Sequence, residues 1–328
     1  MTLGDAVQAL TLDVHLGPDD MAAALRSDVR KGLTSSPKQL QPRWFYDEVG
    51  CSLFDRITCL DEYYLTRRER EILVNHANDI AVATGADTLV ELGSGTSEKT
   101  RILLDAFSEA GALQRFVPFD IAEATLRSAA AAVASEYPGT SVHAVVGDFE
   151  HHVGLLPHEG LRVVAFLGST IGNLVPAKRA KLLSEIAGNL DDGESLLLGC
   201  DLVKDTARLV AAYNDSFGVT AAFNLNVLSV LNRELGAGFD PERFAHVACF
   251  DTENEWIEMR LRSLEAQTVP VVDLGIEVEF ADGEEMRTEV STKFRREGVE
   301  RELDEAGLEL RHFWSDEGGD FGLFLAFR

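Results

Sequence analysis

Thr88-Leu-Val-Glu-Leu-Gly-Ser-Gly-Thr96 decides the fold of this 328-residue chain. A short apolar run ends in an acidic residue, then two glycines one residue apart, then hydroxyls that can start a helix. The pattern predicts a β-strand turning sharply into a helix, with Gly93 and Gly95 letting the backbone approach a ligand closely. Nucleotide, flavin and S-adenosylmethionine sites share this arrangement. Position 98 separates them, because a dinucleotide fingerprint carries Gly or Ala there for close helix–strand packing and pyrophosphate approach. Here it is Glu98, a charged side chain at the mouth of an anion site. That disfavours a pyrophosphate and leaves S-adenosylmethionine as the better ligand.

Outward from this loop, apolar runs recur at 88–92, 116–119, 142–146, 163–167 and 195–198, with helical stretches at 97–110, 122–136 and 176–189 between them. Fully apolar strands separated by helices of this length predict a parallel sheet covered on both faces. Near the C-terminus, runs at 307–313 and 321–327 joined through Ser315-Asp-Glu-Gly-Gly319 predict an antiparallel hairpin. Five parallel strands closed by a terminal hairpin make a Rossmann-like, S-adenosylmethionine-dependent methyltransferase sheet in an α/β fold. A dehydrogenase more often continues in parallel.

Two stretches fall outside that sheet. Residues 20–85 read as helical with an aromatic loop from Trp44 to Tyr64, and residues 205–290 as helices (206–217, 220–234) followed by strands at 244–250, 256–264, 269–274 and 276–280. The expectation is a methyltransferase domain of residues 68–202 and 293–328. A discontinuous α+β substrate-binding domain of residues 15–67 and 203–292 would pack over the carboxyl ends of the parallel strands, where ligands of open α/β sheets bind.

Composition narrows the function class. A net charge of −25 disfavours nucleic acid and anionic membranes as partners, since both rest on Lys and Arg. No apolar run is long enough to span a bilayer, and Met1-Thr-Leu-Gly-Asp5 lacks the features of a secretory leader. Cys51, Cys59, Cys200 and Cys249 are scattered and read as thiols of a reducing cytoplasm. His151, His152 and His158 match no metal-ligand spacing, so no metal is expected. No heptad or apolar surface stripe is evident, so a monomer is the default.

Individual residues extend the cofactor reading. Asp120 ends the second strand, where an acidic side chain can accept hydrogen bonds from ribose hydroxyls; it can equally cap the helix that follows. Asp148-Phe149 follow the third strand, where a carboxylate can accept from the adenine amino group while the ring packs on the base. The alternative for Asp148 is again a strand-end cap. Lys99, in the first turn of the helix after Gly95, is unfavourable against the helix dipole unless an anion offsets it. The cofactor's carboxylate could do so, or the side chain could simply be solvated. Glu91 is placed to face the cofactor's ammonium group, or to cap a local turn.

Longer motifs are more specific. Pro42-Arg-Trp-Phe-Tyr-Asp-Glu-Val-Gly50, Ser52-Leu-Phe-Asp55, Glu62-Tyr-Tyr-Leu-Thr-Arg67, Glu91-Leu-Gly-Ser-Gly-Thr-Ser-Glu-Lys-Thr100 and Phe166-Leu-Gly-Ser-Thr-Ile-Gly-Asn173 occur in this order. From about residue 20 to its end, the chain resembles the histidine-specific Nα-methyltransferase family of ergothioneine biosynthesis. Members trimethylate the α-amino group of L-histidine with three molecules of S-adenosylmethionine, giving hercynine. The resemblance implies that Gly93, Lys99, Asp120, Asp148 and Phe149 hold the cofactor. It implies that Asn173 hydrogen-bonds the substrate's α-amino group and that Tyr63 and Tyr213 hold its carboxylate. Tyr46, Glu289 and Ser291 would surround the imidazole, Met259 would shape the pocket, and Asn173 and Tyr46 would stand nearest the chemistry.

Without the family, these residues have plainer readings. Asn173 would serve a turn, the tyrosines would be half-buried with satisfied hydroxyls, and Met259 would fill a core gap. Glu289 and Ser291, two apart in an extended segment, point to one face and would read as a solvated strand edge. A carboxylate beside a hydroxyl does suit both imidazole nitrogens. Asp61 and Leu65 stand where prolines are expected in relatives, which leaves the Tyr63 loop less constrained in φ. The competing readings are the same chemistry on tryptophan or tyrosine, a nicotinamide oxidoreductase, and a non-catalytic adenosyl-binding module. A buried carboxylate at Glu289 disfavours the first, and Glu98 and the terminal hairpin disfavour the second.

Overall fold

The structure is a computed structural model and describes residues 10–328; the five residues read for a leader lie outside the described residues. In chain order the strands are β1 (Leu10–Val14), β2 (Thr88–Leu92), β3 (Arg115–Asp120), β4 (Ser141–Val146), β5 (Arg162–Phe166), β6 (Ser195–Asp201), β7 (Phe244–Asp251), β8 (Trp256–Ser263), β9 (Gln267–Val271), β10 (Ile276–Phe280), β11 (Glu285–Thr292), β12 (Glu309–Ser315) and β13 (Phe321–Phe327). The chain divides into two compact units. Among the described residues, one comprises 10–16, Arg67–Leu202 and Phe294–Arg328, and the other Gly17–Thr66 and Val203–Lys293.

The first unit is built on an eight-stranded sheet in the order β1-β4-β3-β2-β5-β6-β13-β12. Strands β1 to β6 are mutually parallel. Strand β13 runs antiparallel to β6 and makes the hairpin with β12. β2, β5, β6 and β13 are buried at every position, which is why they read as continuous apolar runs. The count of five parallel strands is corrected to six. β1 pairs Leu10 with Val142 through to Val14 with Val146, and its mostly exposed residues leave no apolar run to recognise.

At the amino ends of β5 and β6, Arg162 and Glu194 are almost wholly buried. They form a bidentate pair, Nε to Oε1 at 2.7 Å and Nη2 to Oε2 at 2.5 Å. Such a pair satisfies two charges that would each be costly alone. The opposite, carboxyl ends of the strands are left to loops.

The second unit holds a three-stranded antiparallel sheet, β11-β8-β7, and a two-stranded one, β10-β9. Its two chain stretches are stitched together by backbone. Leu40 N–H donates to Arg287 O at 2.8 Å, and Arg287 N–H to Lys38 O at 3.0 Å. Asp47 adds a side-chain link. It caps the helix Glu48–Thr58 through Gly50 N–H and accepts from Asn226 and Arg233 of the helix Val219–Leu235.

The helix expected over 206–217 ends at Ala212. Asp215 takes the N–H groups of Phe217, Val219 and Thr220 and so starts the next helix instead. The strand expected over 269–274 is Gln267–Val271, cut short by a 3₁₀ turn at Val272–Leu274 and by Gly275 at φ +61°.

Candidate active site

The loop after β2 is pinned to the end of β3. Gly93 and Ser94 N–H donate to Phe119 O at 2.8 and 3.1 Å, and Gly95 N–H donates to Asp120 Oδ2 at 2.8 Å. Gly93 and Gly95 take φ values of +69° and +49° with no atom within 4 Å of where a Cβ would stand. Backbone conformation selects glycine there, and the space beside the loop stays open. Ser97 holds φ +53°, which delays the helix to Thr100–Glu109, three residues later than the sequence predicts. A non-glycine residue in this region is strained and marks a functional loop.

The same loop carries buried side-chain atoms that meet no hydrogen-bond partner: Glu91 Oε2, Ser94 Oγ and Ser97 Oγ. Unpaired polar atoms at such depth are uncommon, and a ligand bearing an ammonium and a carboxylate would satisfy them. Glu91 is also shaped by burial, which pushes its carboxyl up to about 8 despite the Thr100 hydroxyl that donates to it. The residues present therefore fit the amino-acid end of S-adenosylmethionine.

Asp120 Oδ1 accepts from Ala122 N–H at 2.9 Å just ahead of the helix Glu123–Glu136, while Oδ2 holds Gly95, and burial raises its pKa. Asp148 is buried and caps the helical turn Phe149–His152 through Glu150 N–H at 2.9 Å. Phe149 packs at 5.2 Å on Phe166, the last residue of β5. Lys99 is ion-paired with Glu69, a fully buried side chain of the helix Leu65–Thr84. Glu69 also accepts from Gly168 N–H at 2.7 Å. Glu69 is thus one anion beside Lys99 at the helix start. Asn173 closes the 3₁₀ turn Thr170–Asn173 directly after β5, and Ser169 before it is left-handed at φ +57°.

In the second unit an aromatic cluster lines up the tyrosines. Tyr46 and Tyr63 each pack edge-on against Phe54, at 5.7 and 6.2 Å, and Tyr63 packs at 6.2 Å on Tyr213. Burial of the Tyr46 hydroxyl raises its pKa, and the negative charge of Glu289 adds to this. Tyr46 is therefore a neutral phenol near pH 7, fit to orient a partner rather than to act as a base. Met259 on β8 is buried and stands in register with Glu289 on β11, beside a bulge between Arg287 and Glu289. Ser291 Oγ lies 2.7 Å from Tyr213 Oη, and Lys293 Nζ donates to both, at 3.0 and 2.9 Å.

The expected site residues sort cleanly by unit. Gly93, Lys99, Asp120, Asp148, Phe149 and Asn173 belong to the first, and Tyr46, Tyr63, Tyr213, Met259, Glu289 and Ser291 to the second. Glu69 and Lys293 escaped the sequence reading. Glu69 sits in Arg67-Arg-Glu-Arg-Glu71, a charge run that looks solvated, and Lys293 merely follows a strand. Among the described residues, no group of three or more His, Cys, Asp or Glu is placed to hold a metal ion.

Comparison with known proteins gives the family. Residues 25–328 match the family of SAM-dependent, histidine-specific methyltransferases. The chain is 60% identical over 319 residues to the histidine N-alpha-methyltransferase of Mycolicibacterium smegmatis, covering 97% of this chain and 99% of that one. It is 56% identical over 312 residues to the protein of the same name from Mycobacterium tuberculosis, covering 95% and 97%. It is also 33% identical over 298 residues to ergothioneine biosynthesis protein 1 of Neurospora crassa, covering 88% of this chain and 33% of that one. A family match over nearly the whole chain, joined to a glycine loop with unsatisfied polar atoms, makes this chain a member of the SAM-dependent, histidine-specific methyltransferase family.

Proposed function

We propose that the chain transfers three methyl groups from S-adenosylmethionine to the α-amino nitrogen of L-histidine, giving hercynine in ergothioneine biosynthesis. The match to the histidine-specific family over residues 25–328 carries this reading. The unsatisfied atoms of Glu91, Ser94 and Ser97 support the cofactor. When bound, S-adenosylmethionine supplies an electrophilic sulfonium methyl group.

The protein's own part is positioning and charge. Gly93, Lys99, Asp120, Asp148 and Phe149 hold the cofactor, and Asn173 orients the lone pair of the substrate amine. Tyr63 and Tyr213 hold the carboxylate, while Tyr46, Glu289, Ser291 and Met259 read the imidazole. An α-amine is largely protonated at neutral pH, so a proton leaves before each transfer. Asn173 cannot accept it and Tyr46 is held neutral, so it passes to water. Most of the rate then comes from holding nucleophile and methyl carbon in line. The protein acts as a cytoplasmic monomer on a small-molecule substrate, without metal, nucleic acid or membrane.

The deciding experiment incubates the purified protein with S-adenosylmethionine and an equimolar mixture of the twenty amino acids, read by mass spectrometry. Histidine alone gaining three methyl increments supports the proposal. Methylation of another amino acid overturns the roles of Glu289 and Ser291, and no methylation overturns the activity.

A further inference from the structure

We infer that Asn224 is a positioning residue whose buried amide holds the backbone at both ends of the amino-acid pocket, at Tyr213 and at the bulge before Glu289. This rests on the assignment of Tyr213 and Glu289 to the substrate under the proposed function.

Asn224 lies on the helix Val219–Leu235, in the same buried face as Thr220, Val227, Leu228 and Leu231, and is itself wholly buried. A polar amide at that depth is costly unless its groups are paired. Its Nδ2 donates to Arg260 O on β8 at 3.1 Å and to His246 Nδ1 on β7 at 2.9 Å. Its Oδ1 accepts from Oγ1 of Thr288, a wholly buried residue of β11, at 2.6 Å. One side chain on the helix thus holds all three strands of the β11-β8-β7 sheet.

Hydrogen counting fixes the direction of these bonds. A carbonyl only accepts, so the amide atom facing Arg260 O is the nitrogen, and His246 Nδ1 accepts from it. His246 Nε2 lies 2.9 Å from Tyr213 O, again a carbonyl, so that ring nitrogen carries the proton. The ring is therefore neutral and held in one tautomer. Burial lowers its pKa against the pull of Asp215, which agrees with an uncharged ring. Turning the amide over would set Oδ1 against Arg260 O and leave His246 Nδ1 without this donor.

Two arms run from the amide to the pocket. One passes through His246 to Tyr213 O, and so holds the backbone of a residue assigned to the substrate carboxylate. The other passes through Thr288, the residue left out of register between the pairs Arg287–Arg260 and Glu289–Met259. A bulge re-aims the side chains beside it. The Thr288 hydroxyl fastens this one to Asn224 and lies 3.0 Å from Met259 O. The amide therefore sets the spacing between the carboxylate and imidazole subsites.

The test joins ring-nitrogen NMR to kinetics, with the His246 signals assigned by their loss in H246Q. In the wild type at pH 7 the ring should carry its proton on Nε2 and leave Nδ1 bare. N224D puts an acceptor where the donor stood at nearly the same shape, so Nδ1 should gain a proton. KM for L-histidine should rise about 10- to 100-fold in N224D, with kcat and calorimetric affinity for S-adenosylhomocysteine near wild type. T288V removes only a hydroxyl. It should raise KM by about 3- to 10-fold and leave the His246 tautomer unchanged.

If circular dichroism shows N224D unfolded, T288V and the wild-type NMR carry the test. A wild-type ring protonated on Nδ1 overturns the inference. So does an unchanged KM in the folded variants, or an equal loss of affinity for histidine and S-adenosylhomocysteine. A wild type with the expected tautomer that does not methylate histidine overturns instead the substrate assignment on which the inference stands.

Discussion

Met259 and Glu289 face each other across the β8–β11 ladder, a buried thioether directly opposite a carboxylate. An apolar wall beside an acceptor suits a ring that is flat on its faces and carries N–H on its edge. Glu289→Ala should therefore lower kcat/KM for histidine by about 10- to 100-fold, the size of a hydrogen bond to a charged group. Steady-state kinetics checks this, and unchanged kinetics would remove Glu289 from the imidazole site.

Asp120 ties Gly95 and Ala122 while standing at the end of β3. Asp120→Ala should abolish binding of S-adenosylhomocysteine in calorimetry, because both the proposed ribose contact and the shape of the loop depend on it. The loss of two backbone hydrogen bonds should also destabilise the fold by about 1–3 kcal/mol. Wild-type affinity in this variant counts against the ribose contact.

Glu91 predicts a pH dependence. Burial raises its carboxyl from the usual value near 4.5 to about 8. Below pH 4.5 the folded and unfolded chains both carry the proton, and the contribution to stability is complete. As pH rises towards 8 the unfolded chain ionises first, so that stability is progressively lost, by at most about 1.4 kcal/mol per pH unit. Glu91→Gln should escape this loss, so urea midpoints of the two proteins should diverge between pH 5 and 8 in favour of the variant. Parallel curves would show that Glu91 is not held neutral.

Gly199, on β6, tests the Glu69–Lys99 pair without replacing either member. A Cβ there would meet Glu69 Oε1 well inside contact distance and press on Phe321 and the Leu167 backbone. Gly199→Ala should displace the Glu69 carboxylate from Lys99 and from Gly168 N–H, costing about 1–3 kcal/mol as overpacking does. Cofactor affinity should weaken with it. Denaturation and calorimetry read both effects, and wild-type values in each would show the carboxylate has room to move.

Legibility in the sequence follows burial. β2, β5 and β6 are covered on both faces, so local composition alone declares them. β1 is an edge strand whose partner lies some 130 residues away in sequence; its order comes from β4 rather than from its own residues. The glycine loop was legible because its φ values demand glycine. Ser97 hid the true helix start, since serine gives no warning of a left-handed conformation. Glu69 and Lys293 were invisible for a related reason. Each is a charged residue whose burial is decided by a partner distant in sequence, Lys99 for the one and Tyr213 for the other.

The interleaving of the two units has a consequence for how such enzymes can be recombined. Gly17–Thr66 and Val203–Lys293 are two separate excursions from the sheet-bearing unit, yet Lys38 and Leu40 of the first bond to Arg287 of the second. A transplant that moves only one excursion from a relative splits that backbone seam between two ancestries. Tyr46 and Tyr63 would arrive by one graft, and Tyr213, Met259, Glu289 and Ser291 by the other. Under the proposed function, exchange of amino-acid preference between relatives has a natural unit, both excursions together, and the glycine loop can stay behind unaltered.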